Sequence, residues 1–249
     1  TSSGNVAIGM TAMCNNITGT QSVAIGNEAL FKNESGNCNV AIGYQSLKCN
    51  TVGNMTAVGS CALFTNSTGT ANTAVGYFAN KLNTTGTNNT SVGREALEAN
   101  TTADNNTAVG YQSLTANTTG AGNTAVGKDS LISNTTGGTN TAVGLCALQA
   151  NTTADNNTAV GRGALKLNTT GASNVGVGRN ALEANTTGGQ NVAVGSNALD
   201  ANTTASNNTA VGMNSLSTTT TGCENTALGQ SSLQLNLTGD NNTAVGRRA

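Results

Sequence analysis

The chain has 249 residues and a formal net charge of −1; only 8% of its residues are charged, and it has no histidine, proline or tryptophan. Without histidine, the Ser–His and Cys–His forms of nucleophilic catalysis are excluded, so we expect no enzyme. A net charge near zero gives no electrostatic attraction to nucleic acid or anionic lipid, and no apolar run is long enough to span a membrane, so we expect neither partner.

A glycine recurs every 17 residues along the whole chain, with one interval of 16 between Gly43 and Gly59. Numbered from this glycine as position 1, the repeat reads G-x-x-A-L-x-x-N-T-T-G-x-x-N-T-A-V. A fixed period of this length indicates stacked coils, not a globule built around one active site. We predict an all-β protein, a parallel β-solenoid (β-roll) of about fourteen 17-residue coils in register. Residues 1–249 form a single array, which we expect to be a fragment of a longer fibrous protein because neither end resembles a capping repeat.

Each coil opens with its glycine and reaches a leucine at position 5, where we predict a second short strand or an extended corner. Asn-Thr-Thr-Gly at positions 8–11 predicts a turn, since asparagine bonds to nearby backbone and glycine accepts positive φ. Alternation at positions 15–17 predicts a strand. We expect positions 15 and 17 to face a core shared with the leucines, and the alanine at position 16 to face outward.

Two irregular coils give local predictions. The coil that begins at Gly43 lacks one residue, and we expect the turn around Asn50–Met55 to absorb the deletion and leave the strands intact. The coil that begins at Gly76 has Asn80 where most coils have leucine, so we expect Leu82 or Phe78 to turn inward there.

The outward alanines suggest a lateral contact between copies of the chain. A narrow apolar ribbon along the stack would normally be covered by a partner. We therefore predict self-association, as a homotrimer or a filament, with a single chain whose alanines pack inside its own roll as the alternative. The interface candidates are Ala74, Ala108, Ala125, Ala142 and Ala159.

Asparagine at position 8 opens an Asn-x-Ser/Thr acceptor for N-linked glycans in most coils. The alternative is that Asn-Thr-Thr is simply favourable turn chemistry copied with the repeat. The glycosylation candidates are Asn16, Asn33, Asn66, Asn83, Asn100, Asn117, Asn134, Asn151, Asn168, Asn185, Asn202 and Asn236. Further acceptors open at Asn54, Asn88, Asn105, Asn156, Asn207 and Asn241.

The remaining reactive residues are scattered. No CxxC motif occurs, so neither a zinc site nor any other metal or cofactor is expected. Cys14 with Cys38 and Cys49 with Cys61 are possible disulfides, and isolated surface thiols are the other interpretation. Glu183 and Asp200 share a position in adjacent coils, about 4.8 Å apart along the stack. That is near the distance between the two catalytic carboxylates of a retaining glycosidase. We favour the other interpretation, in which both are turn residues with no cleft around them.

The pentads Asn5–Gly9, Ser22–Gly26, Asn39–Gly43 and Asn191–Gly195 resemble the head repeat of the YadA-like trimeric autotransporter adhesins. The form Asn-Thr-Ala-Val-Gly-x-x-Ala-Leu is similar to repeat arrays of phage tail-fibre-like and bacterial surface proteins. The resemblance covers every coil, although the repeat is longer than the adhesin coil. It implies a left-handed parallel β-roll, three copies side by side, and a role in surface attachment.

These observations favour a structural role, as the shaft or head of an extracellular or virion fibre, decorated with glycans or adhesive. The alternative is an adhesin module that recognises a cell-surface or matrix receptor through the variable positions 2, 3, 6, 7, 12 and 13. Five of the six aromatic residues fall between Phe31 and Phe78, so an adhesive patch is expected there. Ice binding is a third, weaker hypothesis from the adjacent threonines of the turn. The expected location is extracellular, on a cell surface or on a virion.

Overall fold

The computed structural model describes residues 2–249 and shows an all-β solenoid built from parallel three-residue strands. The described residues fall into two compact units, 2–123 and 124–249. The strands of the first unit are β1 (Val6–Ile8), β2 (Val23–Ile25), β3 (Val40–Ile42), β4 (Thr56–Val58), β5 (Thr73–Val75), β6 (Thr90–Val92) and β7 (Thr107–Val109). Those of the second are β8 (Thr124–Val126), β9 (Thr141–Val143), β10 (Thr158–Val160), β11 (Val175–Val177), β12 (Val192–Val194), β13 (Thr209–Val211), β14 (Thr226–Leu228) and β15 (Thr243–Val245).

Within each unit the strands pair in chain order and in register, as the period predicts. Thr141 pairs with Thr158, Ala142 with Ala159 and Val143 with Val160. The 16-residue coil keeps this register, because Val40 pairs with Thr56 across the deletion. The backbone carbonyl of Val52 accepts the amides of Asn39 and Asn50, a role that position 11 has in other coils, so the missing residue lies in the predicted turn.

The predicted second strand at leucine is wrong: each coil has one strand, and positions 1–8 form two consecutive turns. In the coil of Gly144, the amide of Ala147 donates to Gly144 O at 3.3 Å, and Asn151 donates to Leu148 O at 3.2 Å. Leu148 has a left-handed φ of 50°, a conformation disfavoured for a residue with a Cβ. Its amide donates to Ala164 O of the next coil at 3.0 Å. The leucine therefore holds a strained turn that the stack stabilises.

The core faces the opposite side of the strand from our prediction. Leucine at position 5 and alanine at position 16 are fully buried, as at Leu148 and Ala142. Valine at position 17 lies outward, and Val143 is 36% exposed. The interface candidates Ala74, Ala108, Ala125, Ala142 and Ala159 are all fully buried inside their own coils, so they cannot form a lateral contact.

The small residue at position 16 is required by the width of the interior. A Cβ added at Gly176 would lie 3.3 Å from Cγ of Leu165 and 3.2 Å from the carbonyl oxygen of Ala181. A methyl group fills this space, and a valine side chain would overpack it.

The coil with Asn80 does not compensate for its missing leucine. Asn80 takes the leucine position and is fully buried, Leu82 is exposed and Phe78 is half-buried, so neither replaces it in the core. Both polar atoms of the Asn80 side chain lack a hydrogen-bond partner among the described residues.

Candidate functional site

The fold decides which repeat positions can reach a partner. Positions 4, 5, 8, 11, 14 and 16 are buried in most coils. Position 13 is exposed, and positions 2, 3, 6, 7 and 12 are exposed or half-buried in most coils, with Cys61 and Gly163 buried at position 3. Functional side chains are therefore carried by the turns and by the outward face of the strands.

The asparagines of position 8 form a buried amide ladder inside each unit. Nδ2 of Asn168 donates to Gly171 O in its own coil at 2.9 Å and to Oδ1 of Asn151 in the preceding coil at 3.0 Å. Position 14 forms a second ladder, in which the Asn157 amide donates to Gly171 O of the next coil at 2.9 Å. One turn carbonyl thus accepts two side-chain amides, which satisfies polar groups that burial would otherwise leave unpaired.

This ladder overturns the assignment of the position 8 glycosylation sites. Nδ2 is the atom that would carry the glycan, and in these residues it donates hydrogen bonds within the roll. The fully buried candidates are Asn33, Asn66, Asn83, Asn100, Asn117, Asn134, Asn151, Asn168, Asn185 and Asn202. Asn16 and Asn236 are half-buried, and their Nδ2 atoms also donate to turn carbonyls.

Acceptor sequences at position 13 have the opposite environment. Asn54, Asn88, Asn105, Asn156 and Asn207 are exposed, and so is Asn241. Their φ values lie between 57° and 63°, a left-handed conformation that asparagine tolerates well. These amides, not those of position 8, are accessible for modification.

Exposed aromatic and charged side chains form a strip at position 2 of the first unit. The Arg94 guanidinium carbon lies 5.8 Å from the ring centroid of Tyr77 and 5.6 Å from that of Tyr111, within cation–π range. Tyr77 also stacks on Phe78, with ring centroids 3.8 Å apart. Tyr77 lies in the segment where the aromatic count predicts an adhesive patch, and the structure extends the strip to Tyr111.

Two carboxylates of the first unit, Glu95 and Glu28, bind neighbouring cationic and amide side chains. Gln112 donates to Glu95 at 2.7 Å and Arg94 lies 2.9 Å from the same carboxylate, and these contacts lower the pKa of Glu95. Lys48 lies 2.8 Å from Glu28 and, together with a hydrogen bond from Gln45, lowers the pKa of Glu28. These carboxylates remain ionised and fix the neighbouring long side chains.

Glu183 and Asp200 do not form a matched acid–base pair. Burial raises the pKa of Asp200, and the Glu183 carboxylate adds to this effect. Oδ1 of Asp200 is buried without a hydrogen-bond partner among the described residues. Among the described residues neither carboxylate forms an ion pair or a hydrogen bond with another side chain, which agrees with two turn residues.

The six cysteines are free thiols, so the Cys14–Cys38 and Cys49–Cys61 disulfides are absent. Among residues 2–249 no group of three or more His, Cys, Asp or Glu side chains is close enough to hold a metal ion. The same residues contain no helix with the length and hydropathy of a membrane span. Comparison of the sequence with protein-family models and with curated proteins found no match.

Proposed function

We propose that this chain is a structural element, the shaft or head of an extracellular or virion fibre. The observation that carries the proposal is the pair of buried asparagine ladders, which join each coil to the next along each unit. Coils that bond mainly to their neighbours can be added without altering the rest of the array. Such a stack suits a spacer that holds a partner at a distance.

Self-association through the outward strand face is part of this proposal. Position 17 recurs once per coil on this face, beside threonine or valine at position 15. Val143, Val160 and Val194 are each 36–37% exposed, and Val177 is half-buried. A regular apolar ribbon of this kind is commonly covered by a partner. Copies of the chain carry the same ribbon, so a homotrimer or a filament would cover it. The contact between chains would then be formed by positions 15 and 17, since the alanines of position 16 are buried.

The proposal is tested by sedimentation of the purified chain. We expect particles with a mass that is a multiple of 24.6 kDa and a frictional ratio above that of a globular protein. A particle with the mass of one chain at all concentrations would contradict self-association. A frictional ratio typical of a globular protein would contradict the fibre role.

Glycan decoration is proposed at position 13. Expression in a glycosylating host, followed by peptide mass spectrometry, should place glycans on Asn88, Asn105 or Asn156. The adjacent position 8 residues serve as internal controls, because Asn83 and Asn100 should remain unmodified in folded protein. Glycans only on the control residues, or on neither set, would contradict the proposal.

A second candidate function is an adhesive module that recognises a cell-surface or matrix receptor. The strip of Tyr77, Arg94 and Tyr111 favours it, because aromatic and arginine side chains are enriched at protein interfaces. Replacing Tyr77 and Tyr111 by serine should then abolish attachment to a receptor-bearing surface while the sedimentation behaviour stays unchanged.

A further inference from the structure

Gly163 interrupts a row of side chains in the second unit. Position 3 of every other coil carries a side chain, for example Cys146 in the preceding coil and Asn180 in the next. Gly163 itself is buried under Asn180, and beside it lies an open cavity of about 180 Å³. Its lining comprises Leu145, Cys146, Arg162, Gly163, Lys166, Arg179, Asn180 and Glu183. We call this cavity the Gly163 notch.

Three cations of the notch have no carboxylate partner. Of the seven lysine and arginine residues outside the notch, four lie within 4.0 Å of an acidic side chain: Lys48, Lys81, Arg94 and Lys128. Among the described residues no ion pair forms at Arg162, Lys166 or Arg179. One carboxylate, Glu183, lines the notch, so its formal charge is +2 (three cations minus one carboxylate), against −1 for the whole chain.

The two arginines share position 2 in adjacent coils, so their backbones are about 4.8 Å apart along the stack. Like charges on adjacent side chains repel each other, and an anion between them relieves this repulsion. Guanidinium groups present a planar fork of donors that matches the oxygens of carboxylate, sulfate and phosphate. The spacing and chemistry therefore favour one oxyanion shared by Arg162 and Arg179, with Lys166 on its other side.

The size of the cavity limits the ligand. A site that encloses a whole small molecule has about 300–1,000 Å³, so the notch accommodates a substituent and not a complete ligand. Asn180 places its Oδ1 atom 2.7 Å from where a Cβ of residue 163 would lie. This carbonyl oxygen is an acceptor and gives the oxyanion no hydrogen bond, so the donors of the notch are Arg162, Arg179 and Lys166.

We propose that the Gly163 notch binds an oxyanion group, the sulfate or carboxylate substituent of an acidic polysaccharide. This inference does not rest on the fibre role, because all of its groups belong to one chain and one unit. Binding is measured on that chain whatever its state of association.

The first experiment measures binding of the full chain to immobilised heparin at low salt. Arg162→Ala with Arg179→Ala should weaken binding at least tenfold. Arg247→Ala with Arg248→Ala is the matched control, since it removes the same charge from another coil and should leave binding within twofold of wild type. Equal effects of the two double variants would overturn the proposal, because they would indicate a general charge effect.

A second variant tests the notch with its charges kept. Gly163→Asn introduces a residue that is found at this position in three later coils, where φ is 54–55° at Asn180, Asn197 and Asn214. The variant should fold, as judged by an unchanged circular dichroism spectrum, and should lose heparin binding at least fivefold because its side chain fills the notch. Wild-type affinity in a folded Gly163→Asn chain would overturn the proposal.

A third measurement separates the sources of the oxyanion. Titration with sodium sulfate and with a sulfated heparin disaccharide should be followed through the amide resonances of Gly163 and Asn180. Shifts with sulfate alone support an oxyanion site that needs no sugar, and shifts confined to the disaccharide support recognition of the saccharide. Absence of shifts with both probes would overturn the site.

Discussion

Nδ2 of Asn83 donates a hydrogen bond to Oδ1 of Asn66, 2.7 Å away in the preceding coil, and both side chains are fully buried. The same donor atom reaches Gly86 O at 3.0 Å. The amide therefore uses both of its protons to connect the turn of its own coil with the neighbouring coil. This relationship recurs along each unit and decides how the turn residues respond to substitution.

Asn100→Asp should destabilise the fold, because a carboxylate would replace the amide donor beside Asn83 Oδ1 and Ala103 O. Loss of a buried donor costs about 1–3 kcal/mol, and more where a charge is left unpaired. Asn105→Asp is the matched control at an exposed position and should change the free energy of unfolding by less than about 0.5 kcal/mol. Hydrogen exchange around residues 83–103 measures the effect locally. Equal protection in the two variants would contradict the role of the ladder.

Asn80→Leu should stabilise the first unit. The substitution removes a buried amide without partners, restores the leucine found in neighbouring coils, and keeps a backbone φ near 48° that those leucines share. We expect a gain of about 1–3 kcal/mol. Asn83→Leu, three residues further, should instead destabilise because its amide is paired. Thermal unfolding of both variants checks the prediction, which fails if Asn80→Leu lowers the melting temperature.

Gly144→Ala should be poorly tolerated. Gly144 has φ of 138°, and an added Cβ would lie 2.5 Å from the carbonyl oxygen of Gly161 in the next coil. The backbone conformation alone costs about 1–3 kcal/mol for a residue with a Cβ. Gly176→Ala is the control, since its backbone is extended and alanine fills this position in most coils; we expect a change below about 1 kcal/mol. Denaturant unfolding compares the two, and similar losses would contradict the close-approach argument.

The period of the sequence was sufficient to predict the parallel stack, its register and the turn that absorbs the deletion near Val52. The inward side of the strand could not be predicted, because Thr-Ala-Val alternates equally well with either face buried. The choice depends on the distance to the leucine of the same coil, which only the folded chain defines, as Gly176 and Leu165 show. The same holds for the left-handed leucines, whose conformation is disfavoured locally and stabilised by hydrogen bonds from the next coil.

The candidate sites were predicted less well for a related reason. The acceptor motif at Asn100 and the one at Asn105 look alike in sequence, but only the coil geometry places one inside and the other outside. The aromatic segment was predicted from clustering, whereas the Gly163 notch depends on which side chains of adjacent coils meet beside Gly163. The signal that could have found it is the single glycine at position 3, next to Arg162 and one coil before Arg179.

Stability should fall as pH rises through the titration of Asp200. Its pKa is raised in the fold by burial, so the folded chain binds more protons than the unfolded chain above the ordinary value of 3.8. The favourable contribution is complete below pH 3.8 and is lost as pH passes the raised value. Asp200→Asn should remove this dependence and raise the melting temperature at neutral pH. Glu183→Gln should reduce it only in part, because burial is the larger cause. If the melting temperatures of wild type and Asp200→Asn depended on pH in the same way, the pH dependence could not be assigned to Asp200.

The last prediction separates the two faces of the strand. Val143→Lys with Val160→Lys places two adjacent charges on the outward ribbon, where both valines are 36–37% exposed. The ammonium groups can remain in water, so the β content and melting temperature of the chain should change little. An assembly packed through this ribbon should dissociate, since like charges would be desolvated at its centre.

Ala142→Lys with Ala159→Lys is the matched control on the same two strands, and it forces both charges into a core that accepts little more than a methyl group. That variant should lose protection from hydrogen exchange in its coils and in their neighbours. Sedimentation should show that the valine variant no longer associates, while its circular dichroism spectrum shows a retained fold. The alanine variant should instead lose its fold locally. If the valine variant sediments like an associated wild type, the contact lies elsewhere, on the turns or on the strip of Tyr77 and Arg94.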